Sequence, residues 1–346
     1  MTRHVVVVGA GIVGVSSAIW LQRAGAQVTI IDRAAPGTGT SHGNAGVLAA
    51  CAVAPVTAPG LIAKAPAMLL NPDVPLYLRL PYLPRLLPWL AKYLRVANDR
   101  DTRRIAQWLA PIVSDSVDQH KSLTADLGLS DWVRDSDYVF AYRNRAAFDA
   151  EAYTWALRAE AGFAPELIEG PQIHEYEPTL GPDIHLLATM KDHGFIRDPG
   201  GYVGALARAF EQGGGTILQA EVKDFDLSGG AISGVETTQG RVACDDIVLA
   251  TGVWSKPLMA KLGLNVPLES ERGYHVIFEG ATGGPARPVM IASGKFVATP
   301  MAQGLRCAGI LEFGGLDAAP SKAPLALLRR QAKAAFPQLR ATREIE

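Results

Sequence analysis

Hydrophobic and polar positions follow three rhythms along this chain. The run His4-Val5-Val6-Val7-Val8 is unbroken and β-branched, and reads as a strand buried on both faces of a parallel sheet. From Val15 to Arg23 the apolar positions recur at helical spacing, and a second apolar strand follows and closes on Asp32. Residues from about 55 to 127 read as helical but broken by proline, with one long stretch from Asp101 to Leu127. Strand character begins at Tyr138-Val139-Phe140-Ala141-Tyr142. A helix is expected from Asp149 to Ala161, and a short helical turn from Pro171 to Pro178. This middle block does not alternate strand and helix, so it reads as an inserted domain.

Regular alternation returns at Asp198-Pro199-Gly200, where Asp198 is placed to cap a helix from Gly201 to Gln212. Strands are expected over Thr216 to Phe225, Ala231 to Thr237 and Ile247 to Ala250. The last runs into a second glycine turn, Thr251-Gly252-Val253-Trp254-Ser255. Further strands follow over Leu268 to Phe278, Val289 to Ala292, Phe296 to Met301 and Leu305 to Leu311, then a helix from Ala323 to Phe336.

The opening strand, helix and strand carry a chemical meaning. Gly9, Gly11 and Gly14 fall on a G-x-G-x-x-G spacing between the first strand and its helix. Gly9 permits the tight turn, Gly11 admits a pyrophosphate close to the backbone, and Gly14 lets helix and strand pack closely. The helix N-terminus offers N–H groups and partial positive charge to a phosphate, and Asp32 can accept from ribose hydroxyls. A dinucleotide site is therefore expected. The loop Pro36 to Gly46, rich in glycine and small polar residues, reads either as a surface connection or as a wrap around the cofactor.

Composition narrows the class. The chain has 346 residues, 48% hydrophobic and 19% charged, with a net charge of −1, which argues against a nucleic-acid partner. Cys51, Cys244 and Cys307 are odd in number and widely spaced, as expected of core residues in a reducing compartment, and show no metal-ligand spacing. A cytoplasmic location is expected, since the first strand begins at once with no cleavable signal and no apolar run is long enough to span a bilayer. Val74 to Val96 is apolar, aromatic and basic, with Arg79, Arg85, Lys92 and Arg95 among Pro75, Pro81, Pro84 and Pro88. It reads either as a peripheral contact with the inner face of a membrane or as two short helices packed on the core.

Three separated stretches carry a resemblance. They are Val8-Gly9-Ala10-Gly11-Ile12-Val13-Gly14, Val248-Leu249-Ala250-Thr251-Gly252-Val253-Trp254-Ser255, and Glu271-Arg272-Gly273-Tyr274-His275-Val276 with Thr299-Pro300-Met301. Together they resemble the D-amino-acid oxidase family of FAD enzymes, and within it the small-subunit type of D-amino-acid dehydrogenase. Ser41-His42-Gly43-Asn44-Ala45-Gly46 is similar to the flavin-contacting loop of that subgroup. The resemblance implies an α/β fold, with a Rossmann-like FAD-binding domain and an inserted mixed-sheet α+β substrate domain. The expected division is 1–75, 150–265 and 320–346 for FAD, and 76–149 with 266–319 for the substrate or cap domain. It further implies that Gly9, Ala10, Gly11, Ile12, Val13, Gly14, Asp32 and Arg33 meet the ADP half of FAD. Ser41, Asn44 and Ala45 approach the diphosphate and flavin, Val222 offers backbone to adenine, and Thr251 and Gly252 close over the cofactor. Relatives carry a further segment with a Gly-x-Arg-Pro stretch. This chain ends at Arg343-Glu344-Ile345-Glu346 where that segment should start, so the C-terminal end of the family fold is expected to be missing.

A flavin enzyme acting on a free amino acid needs a cation for the carboxylate and a Cα–H held near the flavin. Arg272 is the candidate grip and Tyr274 a neutral donor. Strand alternation puts Arg272 and Tyr274 on one face and His275 on the other. The alternatives are an ion pair of Arg272 with Glu269 or Glu271, and Tyr274 as a core residue. His42 reads either as a flavin neighbour or as an exposed loop residue, while Arg306 and Met301 could frame the pocket from neighbouring strands. The expected reaction is oxidation of a D-amino acid or related secondary amino acid to an imino acid. A quinone or the respiratory chain is the candidate electron acceptor. Competing readings are a nicotinamide-dependent dehydrogenase and a non-catalytic fragment that needs a partner.

Overall fold

The computed structural model describes residues 2–60 and 76–346. Val74 and Pro75 of the apolar, basic segment lie outside the described residues. The chain divides into two compact units, residues 1–44 with 121–132 and 198–269, and residues 45–120 with 133–197 and 270–346.

The first unit opens with strand β1 (His4–Val8), helix α1 (Ile12–Arg23) and strand β2 (Gln27–Asp32). Val6, Val7, Ile30 and Ile31 are fully buried, as the unbroken apolar runs require of strands covered on both faces. The sheet is parallel throughout, in the order Asp246–Leu249, β1, β2, Thr216–Gln219. The chain leaves β1 on one side towards β2 and returns on the other at Asp246–Leu249. That reversal of direction beside β1 is the place where doubly wound sheets bind ligands. Asp198 caps the helix Pro199–Gln212, its side chain accepting from Gly201 N at 3.0 Å. The expected strand from Thr216 to Phe225 is two strands. It breaks at Ala220-Glu221, and Val222–Ser228 joins an antiparallel sheet with Ala231–Thr237 and Gly240–Ala243.

The second unit is built on one mixed sheet. Its order is Arg343–Ile345, Arg272–Glu279, Gly304–Phe313, Phe296–Met301, Val289–Ile291, Val133–Tyr142, Leu186–Ile196, Val47–Leu48. Leu76–Leu78 and Glu166–Glu169 add short strands. Helix Lys322–Ala335 covers one face, burying Leu325, Leu327, Leu328 and Ala332 against Val276, Phe278, Cys307 and Ile310. The other face buries Cys51, Tyr138, Phe140, Tyr142, Trp155 and Val297.

This division departs from the expected one. Residues 150–197 and 320–346 fall in the second unit, because Leu186–Ile196 is an interior strand of the mixed sheet and Lys322–Ala335 packs on that sheet. The long helical stretch expected from Asp101 is two helices, Asp99–Val113 and Ser116–Thr124. All three cysteines are buried and unbridged, and burial pushes the Cys51 thiol up to about 11. Among the described residues no helix is long and apolar enough to cross a membrane, and no cluster of His, Cys, Asp and Glu could hold a metal ion.

Candidate active site

Two glycine turns lie side by side where β1 and Asp246–Leu249 end. Ala250 N donates to Val8 O at 2.8 Å, and Gly9 N donates to Ile31 O at 2.8 Å. Gly9 has φ +112°, and a Cβ there would stand 2.5 Å from Ala250 O. A Cβ at Gly14 would stand 1.8 Å from Gly9 O, so helix and turn touch backbone to backbone. Neither glycine can be replaced without moving the corner.

The mouth of the turn is lined by backbone. A Cβ at Gly11 would meet only the Ser41 hydroxyl, at 3.3 Å. Ser41 is buried, and its Oγ accepts from Ile12 N at 3.0 Å, capping α1 from outside the helix. Val13 and Gly14 lie in the first turn, where N–H groups have no intrahelical acceptor, and the Val13 side chain is 64% exposed. Open space walled by peptide donors at a helix N-terminus suits a diphosphate. The corner therefore fits the pyrophosphate of FAD.

Asp32 sits at the end of β2. Its Oδ2 accepts from Ala10 N at 2.7 Å and its Oδ1 from Ala34 N at 2.9 Å. The carboxylate thus clamps the glycine turn to the second strand and keeps lone pairs for a sugar. Beyond it lies an open cleft of about 480 Å³ lined by Arg33, Gln219, Ala220, Glu221, Thr238 and Gln239. Val222 begins the next strand, with its side chain buried against Val6, Val8 and Ile31, so only its backbone is available to a ligand. Hydrogen bonding and charge from Lys223, with a smaller contribution from Arg33, hold the Glu221 carboxyl below its ordinary range. The sequence reading named Arg33 and the neighbouring Val222 but not Gln219, Ala220, Glu221, Thr238 or Gln239. The cleft's signal was the strand break at Ala220-Glu221.

The second turn differs from expectation in detail. Gly252–Trp254 is a 3₁₀ turn, and the helix begins at Ser255. Gly252 has φ +56°, and the Thr251 hydroxyl is 2.9 Å from the Ser255 hydroxyl. The Arg33 guanidinium lies 4.6 Å from the Trp254 ring centroid, which ties the end of β2 to this turn. In the loop, Asn44 Nδ2 donates to Ser41 O at 3.0 Å. His42 is exposed, with its ring beside Gly200.

In the second unit the candidates separate by face. Tyr274 is 5% exposed in the core under helix Lys322–Ala335, its hydroxyl donating to Glu312 and accepting from Ser321 N at 2.7 Å. As placed, that hydroxyl is engaged by protein and not offered to a ligand. Arg272 shares this face, at the strand's end, with Nη2 3.4 Å from Leu316 O. The register shift beside Tyr274 leaves Gly309 as the extra residue on the partner strand, so Tyr274 and His275 keep opposite faces. The opposite face carries Ile277, Arg306 and Thr299 abreast, with His275, Ala308 and Val297 in the next row. Arg306 is 3% exposed, and Thr299 donates to Ala45 O at 2.8 Å. Arg306 therefore lies one strand from the residue that holds Ala45.

Comparisons with known proteins bear on the family and the fold. The chain is 37% identical over 340 residues to the D-amino-acid oxidase of Bradyrhizobium diazoefficiens, spanning 97% of this chain and 80% of that one. It is 30% identical over 319 residues to a D-amino acid dehydrogenase of Sinorhizobium medicae, spanning 90% and 76%. Among solved structures, glycine oxidase from Bacillus cereus superposes with a TM-score of 0.69 at 17% identity, covering 99% of this chain and 81% of that one. L-proline dehydrogenase from P. horikoshii does so with a TM-score of 0.67 at 19% identity, covering 99% and 80%. At those identities the structures speak to fold alone. The FAD dependent oxidoreductase (DAO) model matches residues 4–346, which sets aside the nicotinamide reading, and the chain belongs to that family.

Proposed function

We propose that this chain oxidises free D-amino acids, or related secondary amino acids, at the Cα–N bond. One observation carries the substrate class, the 37% identity to a D-amino-acid oxidase across 97% of the chain. FAD, when bound, supplies the ring that accepts a hydride from Cα. The first-turn N–H groups of α1 and the Ser41 hydroxyl would hold its diphosphate, Asp32 its ribose and the Arg33–Gln239 cleft its adenine end, and Thr251 and Gly252 would close the second turn over it.

The substrate carboxylate needs a buried, permanently charged partner, and we assign that role to Arg306 ahead of Arg272. Its support is burial on the face that also holds Ala45, whereas Arg272 lies at the strand's end beside Tyr274. His42 stays a candidate neighbour of the flavin ring. The imino acid product hydrolyses in water, so no protein nucleophile is needed. The electrons would then leave to one of two acceptors, a quinone at a membrane surface or oxygen.

The deciding experiment mixes flavin-loaded protein, without oxygen, with a panel of D- and L-amino acids that includes D-proline. Bleaching of the flavin absorbance by D-isomers is the expected result. No bleaching by any amine overturns the substrate assignment and leaves the fold standing. Adding a soluble quinone analogue or oxygen to the reduced protein then separates the two acceptors.

A further inference from the structure

Helix Leu83–Arg95 has two unlike sides. Leu86, 1% exposed, fastens it to the body, and Trp89 packs 4.9 Å from Tyr93 and 5.5 Å from Phe313, centroid to centroid. Just before it, strand Leu76–Leu78 pairs with Gly304–Phe313, and Arg79 binds Glu312 at 2.6 Å. The helix is thus held by a strand, an ion pair and an aromatic cluster. Its other side is open. Leu80 is 74% and Leu87 52% exposed, beside exposed Pro81, Pro84, Pro88 and Ala91.

Charge on that side has one sign. Arg85, Lys92 and Arg95 are exposed, and no Asp or Glu occurs from Leu76 to Ala97. Among the described residues no carboxylate pairs with these three cations. Exposed leucines and prolines flanked by unopposed cations suit an interface of apolar chains beneath anionic headgroups. A second copy of this chain is a poor occupant, because a two-fold contact would set the same cations against each other.

We propose that the open side of residues 80–95 docks on an anionic lipid bilayer, with Leu80 and Leu87 entering the acyl boundary and Arg85, Lys92 and Arg95 meeting the headgroups. The proposal extends the membrane-surface contact invoked for the electron acceptor and is independent of the amino-acid chemistry. It makes the mixed-sheet unit the part that touches lipid.

The test is co-sedimentation of the full chain with phosphatidylcholine vesicles, with and without about a quarter phosphatidylglycerol. Binding is expected only with the anionic lipid and is expected to be lost near 1 M salt, where the Debye length is about 3 Å. Each cation near such a surface is worth roughly a fivefold factor, so Arg85→Glu with Lys92→Glu and Arg95→Glu should weaken binding well over tenfold. Leu80→Glu with Leu87→Glu should also weaken it at least tenfold by the apolar contribution. All five positions are exposed, and a thermal melt identifies any variant that misfolds. Failure of folded wild-type protein to bind, equal binding to both vesicle types, or unchanged binding by the charge variant overturns the proposal. So does a dimer in sedimentation velocity that the leucine variant dissociates, which would assign the face to a second copy. Binding is read without turnover, so failure here leaves the amino-acid reading untouched.

Discussion

The glycine corner of the parallel sheet and the Arg306 face of the mixed sheet work in opposite ways. The corner is made of main chain, with turns and a helix terminus packed so closely that a Cβ at Gly9 or Gly14 would strike backbone. The mixed-sheet face is made of side chains on three neighbouring strands, Arg306 and Thr299 paired in register and His275 in the next row. A main-chain site can be lost through almost any substitution but hardly retuned. A side-chain site can be retuned one residue at a time while the sheet stays intact. That contrast suits a fold that keeps one cofactor and varies its substrate.

Gly14→Ala should cost more than about 3 kcal/mol and abolish FAD retention, since its methyl carbon overlaps Gly9 O; thermal melts and flavin absorbance check this. If Gly14→Ala protein stays yellow and stable, the corner is not main-chain-built as described. Asp32→Ala should cost about 2–3 kcal/mol, because Ala10 N and Ala34 N lose a charged acceptor, and FAD affinity should fall with it. Arg306→Lys should raise KM for the amino acid roughly tenfold or more while FAD binding stays normal, through loss of the two-point grip. Equal damage to FAD binding and KM would break the contrast between the two regions.

Tyr274→Phe is the smallest change, costing about 1–2 kcal/mol by removing a donor to the buried Glu312 carboxylate. As a packing residue it should leave KM unaltered, and a raised KM would return Tyr274 to the pocket. The same network sets a pH response. Burial raises the Glu312 carboxyl, but hydrogen bonds from Arg79, Ser321 and Tyr274 outweigh it and hold it below the ordinary carboxylate range. A depressed native value means stability present above about pH 4.5 and lost as pH falls through the native value. Urea melts from neutral pH downwards should show that loss, reduced in Glu312→Gln.

The corner was legible because its information is local. Three glycines, a β-branched run and a terminal acid fall within about thirty residues of sequence, and each has a backbone reason. Strand Leu186–Ile196 was not legible. Lys191-Asp192-His193-Gly194 interrupts its apolar run, Asp192 sits at φ +57°, and its pairing with Val133–Tyr142 is long-range. For the same reason the domain boundaries moved, since residues around 150–197 look helical until that strand is placed. Tyr274 shows a subtler limit. Alternation predicted its face, but which face is covered depends on Lys322–Ala335, some fifty residues later.

The indole of Trp254 has a practical consequence. It is 37% exposed, lies under the Arg33 guanidinium and belongs to the turn expected to close over the cofactor. Its emission should be quenched as FAD loads, by energy transfer to the yellow ring. A titration followed at that wavelength, with Trp254→Phe as the blank, would report loading optically in protein that has never met a substrate.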